Sequence, residues 1–97
     1  MNEEFIVQRK TLTANTPMTF EFGVVGYEFC VKNLTTGSIL VSCGTAFDEN
    51  KSITIPSKYA HNIYSEERYG SETGINKLFV KSEEAGTVEI YCKYYRK

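Results

Sequence analysis

The sequence contains no tryptophan, a single histidine, a single aspartate and only two prolines among its 97 residues. It also lacks a long apolar run, whereas a membrane-spanning helix needs about 20 apolar residues in succession. Acidic and basic residues almost cancel, at 12 and 11, so the net charge is −1. Proteins that bind phosphate backbones usually carry a basic stripe, and none is visible here. These absences argue against a membrane partner and against a nucleic-acid partner.

The beginning of the chain does not resemble a secretory signal. MNEEFIVQRKTL carries acidic residues where a signal peptide has basic ones, and no apolar segment follows. We therefore expect synthesis in a reducing cytoplasm, where disulfides are rare. A chain of this length is typical of one domain, and we assign residues 1–97 to it.

The sequence does contain a succession of short β-rich segments separated by Gly, Pro or Asn, and no window shows a sustained 3.6-residue apolar period. This pattern predicts an all-β fold, an antiparallel two-sheet β-sandwich (jelly-roll or Ig-like) of seven or eight short strands, with a small barrel as the alternative. One helical turn is possible in 65–69. The predicted strands are 4–12, 18–25, 27–34, 38–43, 52–55, 59–64, 76–81 and 87–95.

Residues 27–44 read YEFCVKNLTTGSILVSCG, two apolar segments around a Thr-Thr-Gly turn. We predict a β-hairpin here, and the length of its loop decides which residues face each other. A two-residue turn would place Cys30 opposite Cys43, close enough for a disulfide. A three-residue loop at 35–37 instead places Cys43 opposite Phe29. We favour the three-residue loop because it gathers the apolar side chains on one face.

This register predicts that Cys43 belongs to the core and that Cys30 lies on the opposite face. Cys92 shares its strand face with Val88 and Ile90, so we predict that it is a core residue too. Three unpaired structural thiols are the favoured interpretation, and a Cys30–Cys43 bridge is the alternative. Zinc is disfavoured because the chain has no Cys-x-x-Cys and one histidine, and we expect no metal and no cofactor.

Catalytic motifs are not apparent. His61 and Asp48 are the only residues of their types, and no nucleophile-elbow motif accompanies them. Asp48 begins a short acidic stretch, 48–50, that we interpret as a solvated turn. We therefore predict that the protein is not an enzyme. The competing hypothesis is a small enzyme that uses His61 with a neighbouring Ser or Cys.

The seven tyrosines are the enriched feature of the composition. Tyr and Arg concentrate at binding surfaces because they bring a large rigid area with a polar tip. We predict that at least one of two tyrosine clusters binds a partner. The first lies in or beside the longest irregular segment and comprises Tyr59, His61, Tyr64, Arg68 and Tyr69, and the second lies on the last strand, on the face opposite Cys92, and comprises Tyr91, Lys93 and Tyr95.

Residues 31–60, VKNLTTGSILVSCGTAFDENKSITIPSKYA, resemble small β-rich structural proteins of bacteriophages and prophages. The matching segments are Val31 to Thr36, Ser38 to Ser42 and Ser52 to Pro56. The resemblance implies a virion protein, a head-decoration, head-fibre or connector-like module made in the cytoplasm of the bacterial host. Its partners would be copies of itself, as a homo-oligomer, or capsid and tail proteins. It implies no catalytic residue.

The alternative function is a carbohydrate-binding or adhesion module, with a glycan as its partner. Aromatic rings stack on sugar faces while nearby polar groups orient the hydroxyls. Tyr59, Tyr64 and Tyr69 would then form the binding platform.

Overall fold

The structure, a computed structural model, describes residues 2–64 and 74–96, which form eight strands. Each strand lies within two residues of a predicted segment, and Glu49–Lys51 forms one turn of 3-10 helix capped by Asp48. Over these described residues, no helix has the length and apolar character needed to cross a bilayer. The strands are β1 (Asn2–Leu12), β2 (Met18–Gly26), β3 (Glu28–Asn33), β4 (Ile39–Ser42), β5 (Ile53–Ile55), β6 (Ala60–Tyr64), β7 (Ile75–Ser82) and β8 (Gly86–Arg96).

The strands form two antiparallel sheets of four, which confirms the predicted β-sandwich. The first sheet has the order β1-β8-β3-β6, and the second has the order β2-β7-β4-β5. β1 pairs with β8, β2 with β7, β3 with β6 and β4 with β5, as in one long hairpin folded over on itself. One further pairing completes each sheet: β3 with β8 in the first and β4 with β7 in the second. This topology is that of a jelly roll.

The predicted hairpin at 27–44 is wrong, because β3 belongs to the first sheet and β4 to the second. The loop between them crosses from one sheet to the other, so neither of the two proposed registers exists. Cys43, predicted to be a core residue, is exposed. The predictions for Cys30 and Cys92 agree with the structure, since Cys30 lies on the outer face and Cys92 is fully buried. All three cysteines are free.

Alternate residues of both sheets point inward and form one apolar core. Phe22 of the second sheet packs against Phe29 of the first, with ring centroids 5.4 Å apart and planes tilted by 53°. Such ring pairs stabilise a sandwich because each ring buries a large area from its own sheet. The other core residues are Leu12, Phe20, Val31, Ile39, Val41, Ile55, Leu78, Val80, Val88, Ile90 and Cys92.

A buried asparagine holds the loop that crosses between the sheets. Asn33, at the end of β3, is fully buried, and its Nδ2 donates to the Gly37 carbonyl at 2.9 Å and to the Ile55 carbonyl at 3.0 Å. Its Oδ1 accepts from the Thr35 amide at 2.9 Å and from the Thr35 hydroxyl at 2.7 Å. Because Ile55 lies on β5 of the second sheet, this side chain ties the two sheets together. These bonds stabilise the crossover that stands in place of the predicted hairpin.

On one side of the sandwich, side chains of β1 cover the edge of β2. Gln8 Nε2 donates to the Glu21 carbonyl at 2.6 Å, and Lys10 Nζ donates to the Thr19 carbonyl at 2.8 Å. An edge strand presents unpaired backbone groups, and these two bonds satisfy carbonyls of β2. β1 itself is the outermost strand of the first sheet.

Candidate interaction surface

The outer face of the first sheet is a grid in which side chains from four strands stand side by side. The registers of β1, β8, β3 and β6 place residues directly opposite one another, and opposite residues in a sheet point to the same side. Three rows result, in strand order Phe5-Lys93-Glu28-Tyr64, Val7-Tyr91-Cys30-Asn62 and Arg9-Glu89-Lys32-Ala60.

Large apolar side chains stand exposed on this grid. Phe5 is 67% exposed and Val7 is 51% exposed, although both lie in the middle of a regular strand. The Phe5 ring meets Tyr91 edge-on with centroids 6.4 Å apart, and Lys93 Nζ lies 5.9 Å from the centroid of the Tyr91 ring. Tyr95 lies on the same side of β8. We call Phe5, Val7, Tyr91, Lys93 and Tyr95 the aromatic face; part of it borders a shallow groove of about 330 Å³.

Ion pairs border the aromatic face. Arg9 Nε donates to Glu89 Oε2 at 2.9 Å, and Lys32 Nζ lies 3.5 Å from the other oxygen of Glu89. The hydrogen bond from Arg9 lowers the pKa of the Glu89 carboxyl, because it favours the charged form. On the opposite side of the face, Lys93 Nζ lies 3.8 Å from Glu28. The apolar patch is therefore rimmed by charges that are already paired within the chain.

A second pair of rings fixes one end of the aromatic face. Tyr27 stacks on Tyr95 with centroids 4.5 Å apart and planes only 13° from parallel. The Tyr27 hydroxyl donates to Glu3, and burial together with this carboxylate raises the pKa of Tyr27. The Tyr95 ring is 44% exposed, and one of its faces is covered by Tyr27.

The second predicted cluster is brought together, and the first is not. Tyr91, Lys93 and Tyr95 lie on one face of β8, opposite Cys92, as the alternation predicts. In the first cluster, Tyr59 precedes β6, His61 pairs with Val31 on the inner side of the sheet, and Tyr64 pairs with Glu28 on the outer side. Arg68 and Tyr69 lie outside the described residues. The helical turn predicted at 65–69 lies there too.

Sequence reasoning missed Phe5 and Val7. The signal was the apolar triplet Phe5-Ile6-Val7 in β1, where Ile6 packs against the core while its two neighbours point outward. Three apolar residues in succession place apolar side chains on both faces of a strand, because successive side chains alternate sides.

His61 and Cys43 both line a cleft between the edge strands β5 and β6. This cleft has a volume of about 300 Å³ and mostly apolar walls that include Ile53, Ile63 and Leu78. Within the described residues, no hydrogen bond joins the imidazole of His61 to the thiol of Cys43, and activation of a nucleophile by a base depends on such a bond. The same part of the chain contains no group of three His, Cys, Asp or Glu side chains placed to hold a metal.

The cysteines are expected to differ sharply in reactivity. Cys43 is exposed, whereas Cys92 is fully buried, and burial raises the pKa of Cys92 to about 11 and also raises the pKa of Cys30. Because the thiolate is the reactive species, Ellman's reagent at pH 8 should titrate one thiol of the native protein rapidly. The other two should react only on unfolding, and Cys43→Ser should abolish the rapid phase. Rapid reaction of more than one equivalent would contradict this assignment.

The described chain is thus a jelly-roll β-sandwich with an exposed, charge-rimmed aromatic face. No protein-family model, no curated protein and no solved structure matches it. Function is therefore inferred from this surface.

Proposed function

We propose that the protein is a non-enzymatic structural component of a bacteriophage or prophage virion, a head-decoration, fibre or connector-like module. It binds neighbouring proteins of the particle through the aromatic face. The observation that carries this proposal is the exposure of Phe5 and Val7, at 67% and 51%, beside Tyr91 on a sheet whose other face already forms the core. Exposed apolar patches with polar rims mark interaction sites.

Two further features support a virion role. Residues 31–60 resemble phage structural proteins, as described above. The jelly roll is an architecture of viral capsid proteins, but lectins and cupins share it, so the fold alone does not select a function.

The composition of the aromatic face suits a protein partner. Aromatic and Arg side chains dominate the energetics of protein interfaces, and paired charges at the rim exclude water at little cost. Burying an exposed Phe or Val side chain contributes about 1.5–3 kcal/mol. Glu89 and Glu28 are already paired with Arg9, Lys32 and Lys93, so a partner need not supply counter-charges to cover this surface.

The test is incorporation into particles. Phage particles purified from induced host cells should contain the wild-type protein, and Phe5→Ser or Val7→Ser should lower its amount about tenfold or more, since each 1.4 kcal/mol of lost binding is tenfold. Leu34→Ser is the matched control, because Leu34 is also an exposed apolar residue, at 43%, but lies in the loop after β3. Absence of the wild-type protein from particles would refute the proposal, and so would equal incorporation of Phe5→Ser and Leu34→Ser.

Carbohydrate binding is the second candidate function, and the exposure of Tyr59 and Tyr64, at 65% and 67%, favours it. Of these, Tyr64 stands on the outer face of the first sheet in the same row as Phe5. Specific binding on a glycan array that is lost in Tyr64→Ala but retained in Phe5→Ser would select this function over assembly.

A further inference from the structure

We infer that two copies of this protein pair through the free edges of their β1 strands. The strands run antiparallel about a two-fold axis at Ile6, and the two first sheets become one continuous sheet of eight strands. The inference names a second copy as one partner in assembly, and it rests on the proposed function for the biological purpose of that contact.

β1 is the edge most suited to pairing. It has 11 residues, whereas the edge strands β5 and β6 have 3 and 5. The remaining edge strand, β2, has carbonyls that already accept hydrogen bonds from Gln8 and Lys10. A long edge strand with free backbone groups is a template for another strand.

The side chains of β1 are self-complementary about Ile6. In this register Glu3 faces the partner's Arg9, and Phe5 faces the partner's Val7. All four residues point to the outer face, because two strands related by an axis perpendicular to the sheet keep their faces aligned. Two-fold symmetry makes each contact occur twice. Opposite charges and apolar side chains directly across a strand pair each stabilise it by about 0.2–1 kcal/mol.

Neighbouring registers lose the charge complementarity of the outer face. Moving the axis to Val7 sets Glu3 against the partner's Thr11 and Phe5 against the partner's Arg9. Moving it to Phe5 sets Glu3 against the partner's Val7. On the outer face, only the axis at Ile6 among these registers sets charge against opposite charge. The axis at Val7 does set Glu4 against the partner's Lys10, but on the inner side, where Lys10 Nζ already donates to the Thr19 carbonyl.

The contacts that Glu3 and Arg9 make within the chain are compatible with this pairing. Glu3 accepts from the Tyr27 hydroxyl, and Arg9 pairs with Glu89. A carboxylate offers about four lone-pair sites and a guanidinium offers five N–H donors, so each group can serve a second partner. Pairing also places both copies of Phe5 and Val7 at the seam, which joins the two aromatic faces into one surface.

The register can be tested by exchanging the charges of Glu3 and Arg9 and measuring dimerisation by sedimentation velocity. The wild type should form a dimer, and Arg9→Glu or Glu3→Arg should weaken dimerisation about tenfold or more, because each sets like charges opposite at two places. The double variant Glu3→Arg/Arg9→Glu should recover the dimer. Within one chain these residues are six positions apart, about 20 Å, so the recovery cannot come from a contact inside the monomer.

A cysteine at the axis gives an independent measurement. In a Cys43→Ser background, Ile6→Cys should form a disulfide-linked dimer on mild oxidation, because residues facing each other lie about 4.5–5.5 Å apart, within disulfide range. Thr11→Cys is the control, because this exposed residue lies far from its own copy in the proposed register.

A monomeric wild type at high concentration, or a double variant that stays monomeric, would overturn the inference. Its failure is distinguishable from failure of the proposed function. If the protein is a monomer and its incorporation into particles depends on Phe5, only the dimer is refuted. If it is a dimer and its incorporation does not depend on Phe5, only the role of the aromatic face is refuted.

Discussion

Replacing Asn33 by alanine is expected to lower the free energy of unfolding by about 3–5 kcal/mol. The substitution leaves the buried amide of Thr35 without its acceptor and removes a donor from the carbonyls of Gly37 and Ile55. A buried polar group without a partner costs about 1–3 kcal/mol, and each lost hydrogen bond costs about 1 kcal/mol more. The loss should be large because the side chain connects β3 to β5, one strand from each sheet.

Urea denaturation followed by circular dichroism measures this effect, with Asn62→Ala as the matched control. Asn62 is an exposed asparagine on β6, and truncation there should change the free energy of unfolding by less than about 0.5 kcal/mol. A loss below about 1 kcal/mol in Asn33→Ala would mean that the loop is held by something other than this side chain.

The substitution Phe29→Ala is expected to destabilise the protein by about 3–5 kcal/mol, the usual cost of removing a buried phenylalanine ring. Phe29 is fully buried on β3, and its ring packs against Phe22 of the other sheet. The loss combines the transfer free energy of the ring with the cost of the cavity that remains. Because the cavity lies between the two sheets, both layers lose packing partners at once.

Phe5→Ala is the matched control for this prediction, since it deletes the same ring from a position that is 67% exposed. Its effect on the free energy of unfolding should stay within about 0.5 kcal/mol. The pair of variants thus separates a phenylalanine that holds the sandwich together from one that is proposed to bind a partner. Comparable destabilisation by both would show that the ring of Phe5 supports the fold and is not available for binding.

Much of the fold is readable from local patterns. Alternation along 27–34 and 87–95 predicts both strands, and it assigns the buried face of β8 correctly through Val88, Ile90 and Cys92. Strand pairing is not readable from local patterns, because the strands that pair can lie far apart in the sequence. β1 and β8, for example, pair although most of the chain lies between them. The error at 27–44 has this origin, since two consecutive strands around a turn look like a hairpin whether or not they pair.

The candidate surface was only partly predictable for the same reason. Tyr91, Lys93 and Tyr95 follow from the alternation in β8, where Cys92 marks the buried side. Phe5 and Val7 join them only because β1 is laid beside β8 with Phe5 opposite Lys93 and Val7 opposite Tyr91. In the sequence, the triplet Phe5-Ile6-Val7 indicates a strand with apolar side chains on both faces, but it does not show which face points outward.

The amino-acid sequence by itself determined that this chain forms short strands and where they begin and end, because strand formation depends on side-chain alternation and turn residues close at hand. Only the tertiary structure decided which strands lie together, which cysteine is exposed and which apolar residues are left on the outside. The physical reason is that the backbone N–H and C=O groups of a strand form hydrogen bonds with neighbouring strands, and local sequence does not specify which strands those are. The face of each strand that meets solvent is therefore set by the whole sandwich.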